Sequence, residues 1–515
     1  MDLYLTQSLH RALRAAPERI ATIFQGRRHT YRTFIDRVAR LAGAILATGI
    51  APGDRVAILA MNSDRYLEVV MASFWGGAAV MPINTRWSDA EISHALADCA
   101  PSILVVDEHF VARLPAILAQ AASVRHVLYA GEGNAPAEAR SIEQLIKECA
   151  PVKDALRSGA QLAMVLYTGG TTGLPKGVML SHANLCAAAL GMAAAGCSTA
   201  DIFLHAAPMF HMADLQLAFC HFLHAGTHAF IPGFSPGGVA DAIERDRVTD
   251  VVLVPTMLRL LLDQPGLAQR DLSSLRTIFY GAAPITDALL EQAMAALPTT
   301  DFVQGYGMTE TALTVMLPAR YHKPGPHGRA VRKAAGLVTP AAELKVVDQD
   351  GMECAWGQPG ELVVRGPSVM SGYWNRPDET NMAVVDGWMH TGDFGYMEEN
   401  GFVYVVDRIK DMIITGGENV YSCEVENCLV THPGVAQCAV IGIADDKWGE
   451  AVHAVVVLKA GALVSAGELQ MHCRAQIAAY KCPRSVEFRS ALPVSSTGKL
   501  LKAQLRAAYQ GSARK

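Results

Sequence analysis

The chain has 515 residues, 51% of them apolar and 18% charged, with a formal net charge of -5. Such a length implies about two to four structural units, and the composition supplies large buried cores. The mixed charges exclude the basic footprint of a nucleic-acid binder. Eleven cysteines are scattered without a Cys-x-x-Cys pair, and Cys423 with Cys428 lacks metal-ligand spacing. Reduced core thiols in a cytoplasmic protein are therefore expected. Met1-Asp2-Leu3-Tyr4 lacks the basic and apolar runs of a secretory signal, and no apolar run approaches the roughly 20 residues of a membrane span.

Taken in chain order, residues 31–48 have helical spacing and lead into 55–60 (RVAILA), a buried strand. Residues 102–106 (SILVV), 163–167 (AMVLY), 250–254 (DVVLV) and 276–280 (RTIFY) read the same way, and segments such as 89–98 and 287–296 between them read as helices. The alternation predicts an α/β fold with largely parallel sheets. After about residue 321 the pattern turns β-rich, with strands at 343–347, 361–364 and 402–406 separated by Gly and Pro. Beyond Asp407, strands at 440–443 and 451–458 and a helix over 466–479 predict a compact α+β domain of about 100 residues. The expected fold is thus a large N-terminal domain of α/β subdomains plus a β-rich subdomain, and a small α+β C-terminal domain joined near 407–410.

Four segments carry chemistry. The first, Thr168-Gly169-Gly170-Thr171-Thr172-Gly173-Leu174-Pro175-Lys176-Gly177, follows a strand and precedes a helix capped by Ser181. Its glycines let the backbone approach phosphate oxygens, its hydroxyls and amides donate to them, and Lys176 adds a charge. It is not a Walker A loop, because Gly177 follows the lysine. The second, Gln304-Gly305-Tyr306-Gly307-Met308-Thr309-Glu310, reads as a turn that sets an aromatic ring among glycines, with a carboxylate suited to Mg2+. The third pairs Asp393 with Asp407-Arg408, which would bracket a ribose diol; the fourth, Ser495-Ser496-Thr497-Gly498-Lys499, presents a lysine on a turn. Taken singly, the last three read as readily as a turn or a surface charge, whereas a run of six Gly or Thr residues ending in Pro-Lys-Gly is more than a mere turn.

In this order and at this spread, the four segments resemble the adenylate-forming superfamily, and most of all its acyl-CoA synthetases, over nearly the whole chain. The resemblance implies an N-terminal AMP-binding domain over 1–407, a hinge at 408–410 turning about Lys410, and a mobile C-terminal domain over 411–515. It implies that Thr168, Gly169, Gly170, Thr171, Thr172, Gly173 and Lys176 cradle the β- and γ-phosphates. Gly281, Ala282 and Ala283 would line the adenine and acyl pocket. Gln304, Gly305, Tyr306 and Gly307 would hold adenine, Thr309 the α-phosphate, and Asp393 and Arg408 the ribose. Glu310, with Thr168, would ligate Mg2+. His211, after Pro208-Met209-Phe210, matches the histidine beside the acyl carboxylate, although His205, His221, His224 and His228 make the stretch histidine-rich. Lys499 would bridge the carboxylate and the α-phosphate, and Gly416 and Gly417 would form part of the thiol tunnel. Ala213, Leu217, Leu313 and Thr314, with the glycines, would wall the acyl pocket.

The implied activity is ATP-dependent conversion of a medium- or long-chain fatty acid to acyl-AMP and then, with CoA, to acyl-CoA. An aryl- or arylpropenoyl-CoA ligase and an acyl donor to a separate carrier protein are the alternatives. ATP, a carboxylic acid and CoA are the expected partners, with Mg2+ accompanying ATP and no nucleic acid; a homodimer is compatible with the reading. Ala213 stands where plant hydroxycinnamate ligases carry a tyrosine, and no Arg or Lys falls in the pocket set, which disfavours a dicarboxylate. Lys502 stands where many relatives have arginine. A non-catalytic relative would be expected to have lost Glu310, Arg408 or Lys499, and all three are present.

Overall fold

The computed structural model describes residues 2–168, 175–197, 201–323, 331–416, 418–445, 447–494 and 500–510. The chain divides into two compact units, residues 1–344 with 364–389, and residues 345–363 with 390–515. Among the described residues no helix is long and apolar enough to cross a membrane.

The first unit holds two sheets of the expected α/β kind. One has eight strands, in the order Gly372–Tyr373, Lys176–Ser181, Leu162–Thr168, Ala79–Pro82, Arg55–Leu59, Ile103–Val106, His126–Tyr129 and Arg140–Ser141. The other runs Gly336–Val338, Ala312–Leu317, Asp301–Met308, Thr277–Gly281, Asp250–Val252, Ile202–His205, Thr227–Phe230, Ile20–Phe24 and Arg27–Thr30. Its strands are parallel from Asp301–Met308 through Ile20–Phe24 and antiparallel at both flanks. Parallel strands covered by helices read as unbroken apolar runs, which is why they were legible in the sequence.

The helix Asp64–Gly76, capped by Ser63 and ended at left-handed Gly77, is buried along its whole length. Its charged residues are therefore paired: Arg27 Nε lies 2.7 Å from Asp64, Arg37 Nε 2.5 Å from Glu68, and Arg65 Nε 2.9 Å from Glu143. Removing one member of such a buried pair costs about 3–5 kcal/mol, because its partner stays buried and uncompensated.

The second unit contains the hairpin of Trp388–Met397, from His390 on, with Phe402–Arg408. It also contains a five-stranded sheet built on the long pair Val435–Asp445 and Gly449–Leu458. Ser485–Phe488 adds in parallel, and Ile413–Thr415 with Glu418–Val420 adds antiparallel. Helices Ser422–Val430 and Ala466–Arg474 supply Val425, Leu429, Leu469 and Cys473 to one core, and Leu505 of Lys502–Gln510 joins Ala439, Ile441 and Val455 in another. The helix expected over 466–479 stops at Arg474, and a short 3-10 turn, Ala479–Lys481, takes its end.

Candidate active site

Strands Leu162–Thr168 and Lys176–Ser181 are antiparallel neighbours, with Thr168 opposite Lys176 and Tyr167 opposite Gly177. Gly169, Gly170, Thr171, Thr172 and Gly173 lie outside the described residues; the base of their loop is the end of this strand pair. The helix His182–Ala194 does begin at a capping box on Ser181, but a six-residue strand separates it from the loop. The helix expected from Ser181 is thus found where the sequence placed it, with the strand Lys176–Ser181 before it.

A segment that the sequence reading passed over docks on this strand pair. Gly372 and Tyr373 pair with Met179 and Val178, and Trp374 N donates to Gly177 O at 2.7 Å. A Cβ on Gly177 would lie 2.8 Å from Val165 Cγ1 and 3.1 Å from Trp374 Cβ, so close approach explains this glycine. The next helix, Pro377–Ala383, brings Glu379 into an ion pair with Lys176, whose ammonium also lies 5.5 Å from the Tyr373 ring centroid. Lys176 holds the Glu379 carboxyl below the usual carboxylate range. The Tyr373 hydroxyl donates to Glu310 Oε1 at 2.9 Å, and Met370 N donates to Glu310 O at 2.7 Å. Thr168, Lys176, Tyr373, Glu379 and Glu310 are thereby linked through one stretch of backbone, with Glu310 buried.

Gln304, Gly305, Tyr306 and Gly307 are in the strand Asp301–Met308, not in a turn; the turn is Thr309-Glu310-Thr311, between that strand and Ala312–Leu317. Gly281 sits opposite Gly305. A Cβ on Gly281 would lie 2.1 Å from Gly305 O, one on Gly305 2.3 Å from Leu313 Cδ1, and one on Gly307 1.9 Å from Ala312 O. These glycines permit strands to approach; a side chain at Gly307 would break the strand pair before it reached a ligand. Ala282 and Ala312 have φ of 61° and 53°, a conformation that costs an alanine energy and that clusters at functional sites.

Tyr280 and His322 orient Gln304. His322 Nδ1 lies 3.3 Å from Pro318 O, and its Nε2 lies 2.8 Å from the Tyr280 hydroxyl. The Tyr280 hydroxyl donates to Gln304 Oε1 at 3.0 Å. Burial lowers His322 to about 4, which keeps it neutral near pH 7.

His211 precedes the helix Met212–Leu223 at its N-cap and is lowered to about 3 by burial, with Arg86 adding to the effect. The other histidines of the stretch behave as core. His205 Nδ1 lies 2.5 Å from Asp214 and its Nε2 3.0 Å from His228, and His221 Nδ1 donates to Leu217 O at 2.8 Å. Leu217 and Leu313 meet in one apolar cluster with Phe203, Phe279, Val303 and Met316. Thr314 is buried, and its hydroxyl has no partner among the described residues, whereas Ala213 is exposed and outside that cluster. Ala283 is half-buried, as are Thr309 and Tyr306.

In the second unit Asp393 stands opposite Arg408 in the hairpin, with Arg408 Nε 2.6 Å from Asp393 Oδ1. Lys410 is exposed in the 3-10 turn Ile409–Asp411. Gly416 has φ of 62°, and a Cβ there would lie 2.7 Å from the Trp448 ring. Gly417 and Lys499 lie outside the described residues.

Residues 9–374 match the model of the AMP-binding enzyme family, and residues 424–499 that of the AMP-binding enzyme C-terminal domain. The chain belongs to the AMP-binding enzyme family. This AMP-binding enzyme is 38% identical to the fatty acid–[acyl-carrier-protein] ligase ScoC of Streptomyces coeruleorubidus, over 97% of this chain and 95% of the relative. It is 39% identical to a feruloyl-CoA synthase of Amycolatopsis sp, over 96% and 97% respectively. The crystal structure of ATP-bound MatB from Rhodopseudomonas palustris superimposes with a TM-score of 0.90 at 31% identity, over 100% of each chain. The adenylate-forming assignment made from the four segments is thus correct, as is the α/β fold with a large N-terminal and a small C-terminal domain. Within the AMP-binding frame, Tyr373, Glu379, Tyr280 and His322 are the residues that the sequence reading missed. Each acts through a partner far along the chain, and only the aromatic pair before Asn375 offered a local signal.

Proposed function

We propose that this adenylate-forming acid–thiol ligase activates an apolar carboxylic acid, a medium- or long-chain fatty acid being the first choice, and transfers it to CoA. In the first step a carboxylate oxygen attacks the α-phosphorus of MgATP, the bond to the β-phosphate oxygen breaks, and pyrophosphate leaves. In the second the CoA sulfur attacks the acyl carbon, AMP leaves, and the thiol proton passes to solvent. The convergence of Lys176, Tyr373, Glu379 and Glu310 beside the 168–176 loop carries the reading. It supplies a cation for the leaving pyrophosphate and a buried carboxylate with a hydrogen-bonded position.

Thr168 and Glu310 are hard oxygen donors of the class Mg2+ takes, and they would hold the ion that arrives with ATP. That ion neutralises phosphate charge; the chain's own groups position the two anions. Lys176 exchanges Glu379 for phosphate oxygen. Gln304, fixed by Tyr280, meets the adenine, and Arg408 with Asp393 holds the ribose. His211, neutral through the physiological range, lies beside the acyl carboxylate without adding a second charge. Lys499 bridges carboxylate and α-phosphate, a transition-state contact worth on the order of 10²–10³-fold. The boundary near 407–411 and the hinge at Lys410 belong to this proposal.

The apolar cluster around Leu217 and Leu313 supports an alkyl chain, at about 0.8 kcal/mol per buried methylene. The Thr314 hydroxyl, without a partner among the described residues, favours a second reading, an aryl acid bearing a hydrogen-bonding substituent, and relatives acting on each kind of acid are equally similar. The test is pyrophosphate release from a panel of alkyl and aryl acids, with CoA, with a phosphopantetheine-bearing carrier protein, and with neither. Release that rises with alkyl length and a thioester formed with CoA are expected. No acid-dependent release with any acid would end the proposal; a preference for hydroxylated aryl acids would move it to the second reading.

A further inference from the structure

Within the second unit, a buried polar chain joins the helix Lys502–Gln510 to the strand Phe402–Arg408. Lys502 Nζ donates to Ser422 Oγ at 2.6 Å and lies 2.7 Å from Glu426 Oε1. Ser422 Oγ in turn donates to Asp407 Oδ2 at 2.6 Å. Asp407 also accepts from Arg408 N at 2.8 Å and Cys423 N at 3.4 Å, and Glu426 from Val440 N at 2.8 Å. Lys502 is 9% exposed, Ser422 0% and Asp407 5%, so the chain is shielded from water and its hydrogen bonds are correspondingly strong. The helix Ser422–Val430 has no side-chain cap of its own at Tyr421; the Asp407 carboxylate, reaching over from the strand, accepts from one of its first amides, Cys423 N.

The location is what matters. Asp407 precedes Lys410, and Ser422, Glu426 and Lys502 follow it. A turn about Lys410 that carried residues 411–515 away from the strand would have to break the Ser422–Asp407 bond. A second tie, Arg506 to Asp411 at 2.6 Å, lies wholly beyond Lys410 and would survive that turn. The stacked rings of Phe394 and Tyr421, 5.5 Å apart, sit at the same junction as the first tie. Lys502 also lies three residues beyond Lys499. On either side of residues 495–499, Leu501 N donates to Pro493 O at 2.9 Å and Val494 bridges Leu500.

We propose that Lys502 and Ser422 are positioning residues. Their bond to Asp407 latches the Lys499-bearing end of the chain to the Asp393–Arg408 hairpin in the register used for adenylation, and it must be released for thiol transfer. The inference rests on the adenylation reading of Lys499 and the hinge at Lys410. Ser422→Ala removes the link to Asp407 and leaves the Lys502–Glu426 ion pair in place. It is expected to lower acid-dependent ATP–pyrophosphate exchange about 10–100-fold, the cost of a misplaced catalytic group. Thioester formation from supplied acyl-adenylate should stay within about two-fold. Lys502→Met should do the same or fail to fold, and Lys502→Arg, which keeps the charge, should recover most of the exchange. Equal losses in both half-reactions, or an unchanged exchange rate in Ser422→Ala, would overturn the latch. Lys499→Ala is measured alongside: an unaltered exchange rate there would instead sink the role given to Lys499.

Discussion

Glu310 shows how much one hydrogen bond can be asked to do. Its carboxylate is buried on a three-residue turn, and the Tyr373 hydroxyl fixes one of its oxygens. A hydrogen bond to a charged group is worth about 1.5–3 kcal/mol, so a carboxylate that loses this donor is less well aimed and costlier to keep ionised. Tyr373→Phe keeps the ring over Lys176 and deletes only the hydroxyl. We expect about a 10-fold fall in acid-dependent exchange, with a larger Mg2+ concentration needed for half-maximal rate. A Mg2+ titration of the exchange reaction in the variant checks this, and an unmoved half-maximal concentration would argue that Glu310 does not serve the metal. Tyr373 was illegible in the sequence for a physical reason. Its partner lies 63 residues away, and nothing in Gly372-Tyr373-Trp374 says which strand edge it will join. Glu310 was legible, because a carboxylate after Gly307-Met308-Thr309 belongs to a pattern read locally.

At the scale of elements, the parallel strands announced themselves as apolar runs, whereas the Gln304–Gly307 stretch did not. Glycines that allow strands to touch have the same composition as glycines that turn a chain, and only the partner strands Thr277–Gly281 and Ala312–Leu317 separate the two. The lesson carries to substitution. Enlarging Gly307 to shorten the accepted acid would strike Ala312 O, so pocket size is better tested at Leu217 or Leu313. A stability prediction belongs here as well. The helix His182–Ala194 opens on a histidine that is 1% exposed, with both ring nitrogens buried and without a partner among the described residues, and the ring edge-on to Phe74 at 5.5 Å. Burial lowers its pKa to about 4, from an ordinary 6.5. The unfolded chain therefore takes up the proton first, and stability fully present above about pH 6.5 is lost as the pH falls toward 4. His182→Phe removes that proton uptake and two unsatisfied polar atoms. It should stabilise the protein by about 1 kcal/mol near pH 7.5 and by more at pH 5, as urea unfolding at the two values would show. A gain that does not grow on acidification would mean that the histidine finds a partner in solution.

For the whole molecule, the question is how one site serves two reactions with opposite needs. Adenylation has to bring two anions together, and the proposed role of Lys499 is to bridge them at the α-phosphate. Thiol transfer has to admit CoA to the same acyl carbon, where a lysine in that proposed position would stand in the way. The proposed answer is rotation about Lys410, and the local structure suits it. Lys410 is exposed in a 3-10 turn of three residues, which leaves few backbone bonds to lose. A hinge needs only a few φ/ψ angles to change, so narrowing the allowed angles at that one residue should tax the rotation and spare each resting state. Lys410→Ile introduces a β-branched side chain and removes the flexible one. Acid-dependent exchange should stay within about three-fold of the parent, while the rate of thioester formation falls by about 10-fold or more. The two are measured separately, the second with preformed acyl-adenylate and CoA under single turnover. This pattern is the reverse of that expected for Ser422→Ala, in which exchange falls and transfer survives. The double variant then decides whether latch and hinge act on one motion. If they do, loss of the latch offsets part of the transfer defect in Lys410→Ile; if the two defects simply multiply, the hinge and the latch control different events.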